Sequence, residues 1–430
     1  MKYYSTNGQA PHSTFREAIF TGLPADSGLF HPTEIPLLQR DFLDALSDRS
    51  LVEIGFEVSK IFVGDEIPPD DLEKIVAEVL NFEIPLVQVS EDVFSLELYH
   101  GPTYAFKDVG ARFLARCLSY FIARSGEKLT ILVATSGDTG SAVANGFYEV
   151  PGIDVVLLYP GGGKVSKIQE QQLTTLGANI TALEIDGTFD DCQRMVKSAF
   201  LDEALRAHRN LTSANSINIA RLIPQSFYYF HAMAQLPVTE KPVVFSVPSG
   251  NYGNLSAGIM AKKMGLQYAR MLACSNINKI VPDYLQNGVF HPRTSEMTIS
   301  NAMDVGNPSN FARMNAWYDE NLAAMQRDIG GYWFSDEDTR KELKEVHQQH
   351  DYLMDPHGTI GYLGLKAYQE ENEVTGIFLE TAHPAKFIDV VEETIGETIE
   401  VPARLKDCLE KEKQATELPP DYEALKEFLW

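Results

Sequence analysis

Cysteine is scarce in this chain. The four that occur in 430 residues, Cys117, Cys192, Cys274 and Cys408, have neither Cys-x-x-Cys nor Cys/His spacing. That argues against a disulfide framework or a structural zinc site, and for a reducing compartment; no metal site is expected. Cations are also in short supply, with 36 Lys plus Arg against 60 Asp plus Glu and a formal net charge of -24. A nucleic-acid role is disfavoured on that balance, because phosphate backbones are bound through clustered Lys and Arg. An anionic ligand would need local cations. No apolar run approaches a membrane span, and the opening Met-Lys-Tyr-Tyr-Ser-Thr-Asn-Gly lacks the apolar centre of a signal peptide. A cytoplasmic protein without membrane contact is expected. Internal repeats, low-complexity tracts and the Gly-x-Gly-x-x-Gly dinucleotide fingerprint are absent as well.

What is present is ordinary globular material, 44% hydrophobic and 22% charged, and long enough for two or three domains. The first ninety or so residues read as a helical unit. Thr14 and Glu17 have capping-box spacing before Phe15, Ile19 and Phe20, and a second pattern runs through Leu51, Ile54, Phe56 and Ile61. After Pro68-Pro69, the segment 70–80 puts Leu72, Ile75, Val76 and Val79 on one face. From about residue 93 strands and helices alternate. Strands are expected at 93–98, 129–134, 155–159, 180–185, 243–247 and 376–379. Helices are expected at 111–124, 141–147, after Gly161-Gly162-Gly163 to Leu176, through Met195, at 217–230, through Ile259 and Met264, around 332–352, at 361–368 and at 422–430. Alternation of this kind implies parallel sheets covered on both faces, with ligands beyond the carboxyl ends of the strands.

Lys107 sits where one of these strands passes through a Gly-Pro turn into a helix, between Phe106 and Asp108. A lysine partly desolvated at such a junction can keep a neutral amine able to attack a carbonyl, which makes Lys107 the candidate Schiff-base lysine; alone, it reads more readily as a solvated surface group, as most lysines at a helix start are. Ser249-Gly-Asn-Tyr-Gly-Asn254 follows a strand and precedes a helix. A phosphate could rest there on free N–H groups, although an ordinary capping turn has the same composition. Thr135-Ser-Gly-Asp-Thr-Gly140 has the same placement and could hold a carboxylate, or simply cap its helix. Thr381 ends the last strand, where a neutral hydroxyl could bond a pyridine nitrogen.

Together these stretches resemble the threonine synthase family, in its longer bacterial and fungal form. The resemblance spans almost the whole chain: Asp26–Pro32, His100–Asp108, Ser136–Gly140, Ser213–Asn218, Ser249–Asn254, Met303–Asn310, Asp355–Gly358 and Thr381–Phe387. It implies an α/β protein of pyridoxal phosphate fold type II, with two parallel-sheet domains, the cofactor between them, and a mainly helical N-terminal unit. The implied division is 1–90 for that unit and 91–430 for the catalytic core, with a smaller subdomain at about 126–224. It implies that Lys107 carries pyridoxal 5'-phosphate, that Gly250, Asn251, Tyr252, Gly253 and Asn254 hold the cofactor phosphate, and that Thr381 meets the pyridine nitrogen. The substrate would be O-phospho-L-homoserine, converted with water to L-threonine and phosphate. Candidates for holding it are Ser136, Asp138, Thr139, Arg112, Lys164, Ser166 and Arg221, in a monomer or homodimer. Tyr104 and Asn7 stand where many relatives have Leu and Arg. A related dehydratase or replacement enzyme, or a catalytically idle cofactor-binding homologue, are the competing readings.

Overall fold

Short runs of β-branched and aliphatic residues become strands buried along their whole length because helices cover both faces of each sheet. Leu129–Ala134 and Val243–Pro248 are buried at every residue. The computed structural model describes residues 1–430, and the chain divides into two compact units. The first comprises Met1–Phe30, Lys107–Arg221 and Val401–Trp430; the second comprises His31–Phe106 and Leu222–Glu400.

The first unit holds a five-stranded sheet ordered Thr416–Leu418, Ile180–Ile185, Ile153–Pro160, Leu129–Ala134, Leu211–Ser213, parallel throughout. Leu132, Leu158, Leu183, Cys192 and Met195 form its core with Leu425 and Leu429 of the last helix, Tyr422–Leu429. In the second unit a six-stranded sheet runs Ile329–Trp333, Arg270–Ser275, Val243–Pro248, Thr375–Glu380, Val93–Glu97, Leu86–Ser90. Only its last pair is antiparallel. Val244, Leu272, Ile360, Leu365 and Phe378 lie at its centre. No helix is long and apolar enough to cross a membrane.

Local signals place many elements. The Thr14/Glu17 capping box opens the helix Phe15–Thr21, and Pro69–Val79 buries the expected Leu72, Ile75, Val76 and Val79. Other segments differ from expectation. The helix expected at 111–124 begins at Lys107, because Gly110 is not a helix start but a point of close approach: a Cβ there would lie 2.9 Å from the Arg221 carbonyl oxygen. The helix expected at 217–230 is divided into Ile219–Leu222, a 3-10 turn Ile223–Ser226 and Phe227–Gln235, since Pro224 lacks the N–H an α-helix needs. The segment expected as one helix at 332–352 is the end of an edge strand, Ile329–Trp333, followed by a helix Asp336–His350 capped by Ser335. The strands Leu86–Ser90, Leu211–Ser213, Arg270–Ser275 and Thr416–Leu418 are additional to those expected.

Candidate cofactor and active site

In the second unit, parallel pairing of Val243–Pro248 with Thr375–Glu380 brings their carboxyl ends to the same edge of the sheet. Two loops leave from there, Ser249–Tyr252 and Thr381–His383. The first is tied down by its backbone. Ser249 N–H donates to the Cys274 carbonyl at 2.7 Å, and Ser275 Oγ donates to the Ser249 carbonyl at 3.1 Å. Gly250 can be nothing larger, because a Cβ would fall 2.6 Å from Met303 Cα. Tyr252 then takes a left-handed conformation, φ 59°, which turns the chain into the helix Gly253–Lys263. Its hydroxyl is paired with Ser275 Oγ.

That helix begins without a side-chain cap, so its first N–H groups have no hydroxyl or carboxylate on them. Asn254, one residue inside, accepts from Tyr229 Oη at 2.8 Å through Oδ1, while its Nδ2 is buried with no partner. An uncapped helix N-terminus, an orphaned buried amide donor and a glycine loop form a cradle that suits a phosphate. Asn251 Oδ1 is occupied, accepting from Ser309 N at 2.6 Å and Ser309 Oγ at 2.9 Å. Thr381 is nearly buried, and its carbonyl accepts from the Phe106 N–H at 2.9 Å. The bridge Ala105↔Ala382 continues that pairing. Ala105 and Phe106 are thereby held against the Thr381 loop within the second unit.

Below the Thr381 loop lies a buried acid cluster. Asp355 N–H donates to Glu380 Oε1 at 2.6 Å, and Asp355 caps the helix Pro356–Gln369. Burial, then the neighbouring Asp355 charge, holds the Glu380 carboxyl well above the usual carboxylate range.

In the first unit Lys107 opens the helix Lys107–Ser125, half-buried, and Arg112 lies in the next turn. Arg221 is buried; it donates through Nη1 to the Ala214 carbonyl, and its Nε would lie 3.0 Å from a Cβ at Gly110. The Thr135–Gly140 loop is capped by Thr135, whose Oγ1 accepts from Gly137 N at 3.0 Å and Gly140 N at 2.8 Å. Ser136 and Thr139 are half-buried, whereas Asp138 is buried and accepts from Gln169 Nε2 at 3.0 Å. Gln169 Oε1 in turn accepts from Ser166 N at 3.1 Å, so one amide ties Asp138 to Ser166. Lys164 is exposed and donates to the Gly187 carbonyl at 2.6 Å. Sequence reasoning assigns no role to Gln169, Asp355, His357 or Glu380. The Asp355-Pro-His-Gly358 motif is a visible signal, but its partners are distant in sequence.

A family model described as "Pyridoxal-phosphate dependent enzyme" matches residues 84–377, more than half of the chain. "Threonine synthase N terminus" matches residues 2–80, and "Threonine synthase, C-terminal" matches 360–429. The chain belongs to the threonine synthase family. Threonine synthase from Haemophilus influenzae is 44% identical over 434 residues, covering 100% of this chain and 99% of the relative. The crystal structure of threonine synthase from Escherichia coli superposes with TM-score 0.94 at 41% identity, covering 100% of this chain and 99% of that one. A pyridoxal-phosphate-bound threonine synthase from Brucella melitensis gives TM-score 0.91 at 36% identity, covering 100% and 98%. As a member of the threonine synthase family the chain is a pyridoxal-phosphate-dependent enzyme of fold type II, and the Ser249–Asn254 cradle fits that cofactor's phosphate.

Proposed function

We propose that the chain converts O-phospho-L-homoserine and water to L-threonine and inorganic phosphate. What supports the reading is the likeness to threonine synthases over the whole chain; its cofactor part rests on the uncapped helix at Gly253 with its orphaned Asn254 amide, on the same sheet edge as Thr381. In this reading Gly250, Asn251, Tyr252, Gly253 and Asn254 hold the cofactor phosphate. Thr381 offers a hydroxyl to the pyridine nitrogen, a neutral partner that leaves the ring without a full positive charge. Lys107 is the covalent attachment point. Pyridoxal phosphate supplies an electron-withdrawing ring that stabilises negative charge at the substrate's α-carbon.

With its amine free, Lys107 would serve as the base that takes the substrate's Cα proton at Nζ. A Cβ proton must also leave, after which the γ-phosphate departs with the electrons of its C–O bond. Cγ then takes up a proton to become the methyl group, water adds its hydroxyl at Cβ while its other proton goes to the released phosphate, and Cα regains its proton. Ser136 and Thr139 are suited to the substrate carboxylate, with Asp138 keeping their loop in place through Gln169. Arg221, Arg112, Ser166 and Lys164 are the candidates for the leaving phosphate, which a chain of net charge -24 would otherwise repel.

The division at about residue 90, with the catalytic core at 91–430 and a smaller subdomain at 126–224, belongs to the same reading and is supported by the change of matching family model between 80 and 84. A cytoplasmic location agrees with four free cysteines. A monomer or homodimer that binds no nucleic acid completes the proposal. Phosphate release decides it: O-phosphohomoserine should be turned over far faster than homoserine or O-acetylhomoserine. Equal turnover of the acetyl and phosphoryl substrates would move the assignment to a replacement enzyme.

A further inference from the structure

His357 is 2% exposed and uses both ring nitrogens within the second unit. Nδ1 lies 2.5 Å from Asp355 Oδ1, and Nε2 lies 3.2 Å from the backbone nitrogen of Ala302. A backbone N–H can only donate, so Nε2 must accept; Nδ1 therefore carries the proton and donates it to Asp355. These two bonds fix a neutral imidazole in one tautomer.

Each end of this pair reaches a loop of the proposed cofactor site. Asp355 Oδ2 accepts from Ala382 N at 3.2 Å, one residue beyond Thr381. At the other end, the Ala302–Met303 backbone that His357 holds is the surface against which Gly250 packs, with the Ala302 oxygen 2.9 Å and Met303 Cα 2.6 Å from a Cβ at Gly250. Packing that close leaves the 249–252 loop no room to follow if residues 302–303 move inward, and no support if they move away. Asp355 is itself fully buried and also accepts from His357 N–H at 2.6 Å, so the pair has little freedom of its own.

We propose that Asp355 and His357 are positioning residues for the cofactor, a hydrogen-bonded relay that keeps the Thr381 loop and the Gly250 phosphate loop in register. The inference rests on the cofactor reading above. Its consequence is asymmetric. His357 supports the phosphate side through Ala302, so losing it weakens binding of pyridoxal phosphate more than binding of pyridoxal, which has the same ring and no phosphate.

The test uses the full chain stripped of cofactor, titrated with each compound and followed by absorbance. In His357→Leu the ratio of pyridoxal to pyridoxal phosphate dissociation constants should fall about tenfold from the parent's. His357→Gln, which keeps a donor and an acceptor, should restore it to within about threefold. If the Leu variant does not fold, His357→Asn reads the same quantity, since it can donate to Asp355 but cannot reach Ala302. An unchanged ratio in the Leu or Asn variant overturns the relay. Gly250→Ala separates the two readings: if it leaves pyridoxal phosphate affinity intact, the cofactor-loop assignment itself is wrong, whereas lost affinity there with an unchanged His357 ratio removes the relay alone.

Discussion

The N–H of Phe106 donates to the carbonyl of Thr381 at 2.9 Å. The residue before Lys107 is thus hydrogen-bonded to the residue proposed for the pyridine nitrogen, although 275 positions separate them in sequence (381 − 106). The bond lies within the second unit and fixes the backbone of Phe106 against the Thr381 loop.

Lys107→Ala should therefore abolish covalent attachment of the cofactor while leaving its phosphate cradle intact. Borohydride reduction followed by peptide mapping should place the label on Lys107 in the parent and nowhere in the variant. Lys386 is the most demanding control, because it is buried and donates to the Thr103 carbonyl at 3.0 Å, close in the chain to the proposed site. A label on Lys386, Lys164 or Lys279 would overturn the assignment.

Among the candidate cations, burial predicts a ranking. Arg221 is buried against Gly110 of the Lys107 helix, whereas Lys164 is exposed and tied to the Gly187 carbonyl. Removing a charge-assisted hydrogen bond costs about 1.5 to 3 kcal/mol, roughly 10- to 150-fold in kcat/KM. Arg221→Gln should lose that much for O-phosphohomoserine with an unchanged cofactor spectrum, and Lys164→Ala should lose clearly less. Steady-state kinetics giving the reverse order would reject Arg221 as the principal phosphate ligand.

Glu380 gives a pH-dependent prediction. Its carboxyl is held well above the usual range by burial and by Asp355, and Gly358 is required beside it, since a Cβ there would lie 1.4 Å from Glu380 Oε2. The folded chain keeps this proton at pH values where the unfolded chain, titrating near 4.5, has released it. The stabilisation is fully present below that pH and is lost as pH rises toward the folded value. Glu380→Gln, neutral at every pH, escapes the loss. The melting temperature of the variant minus that of the parent should become more positive from pH 4.5 to 8, and a flat difference would refute a protonated Glu380.

Features set by neighbours along the chain are legible in the amino-acid sequence by itself. The Thr14/Glu17 box, the apolar face of Pro69–Val79 and the strands Leu129–Ala134 and Ile180–Ile185 are written in spacings of one to four residues, because backbone satisfaction and side-chain direction are local. The blocks around Lys107, Ser249–Asn254 and Thr381 are likewise visible as strand-to-loop junctions. Tertiary structure alone decides the rest. Gly110 has the look of a helix start, and only the packed Arg221 supplies the reason for a glycine there. The strand Arg270–Ser275 becomes one by lying between two parallel neighbours. Gln169 joins Asp138 to Ser166, and His357 holds Ala302 from 55 residues away; nothing in the composition near either side chain specifies its partner. Such bonds exist only after the chain has packed, when burial has removed water as the competing partner and left one geometry in which each polar group is satisfied.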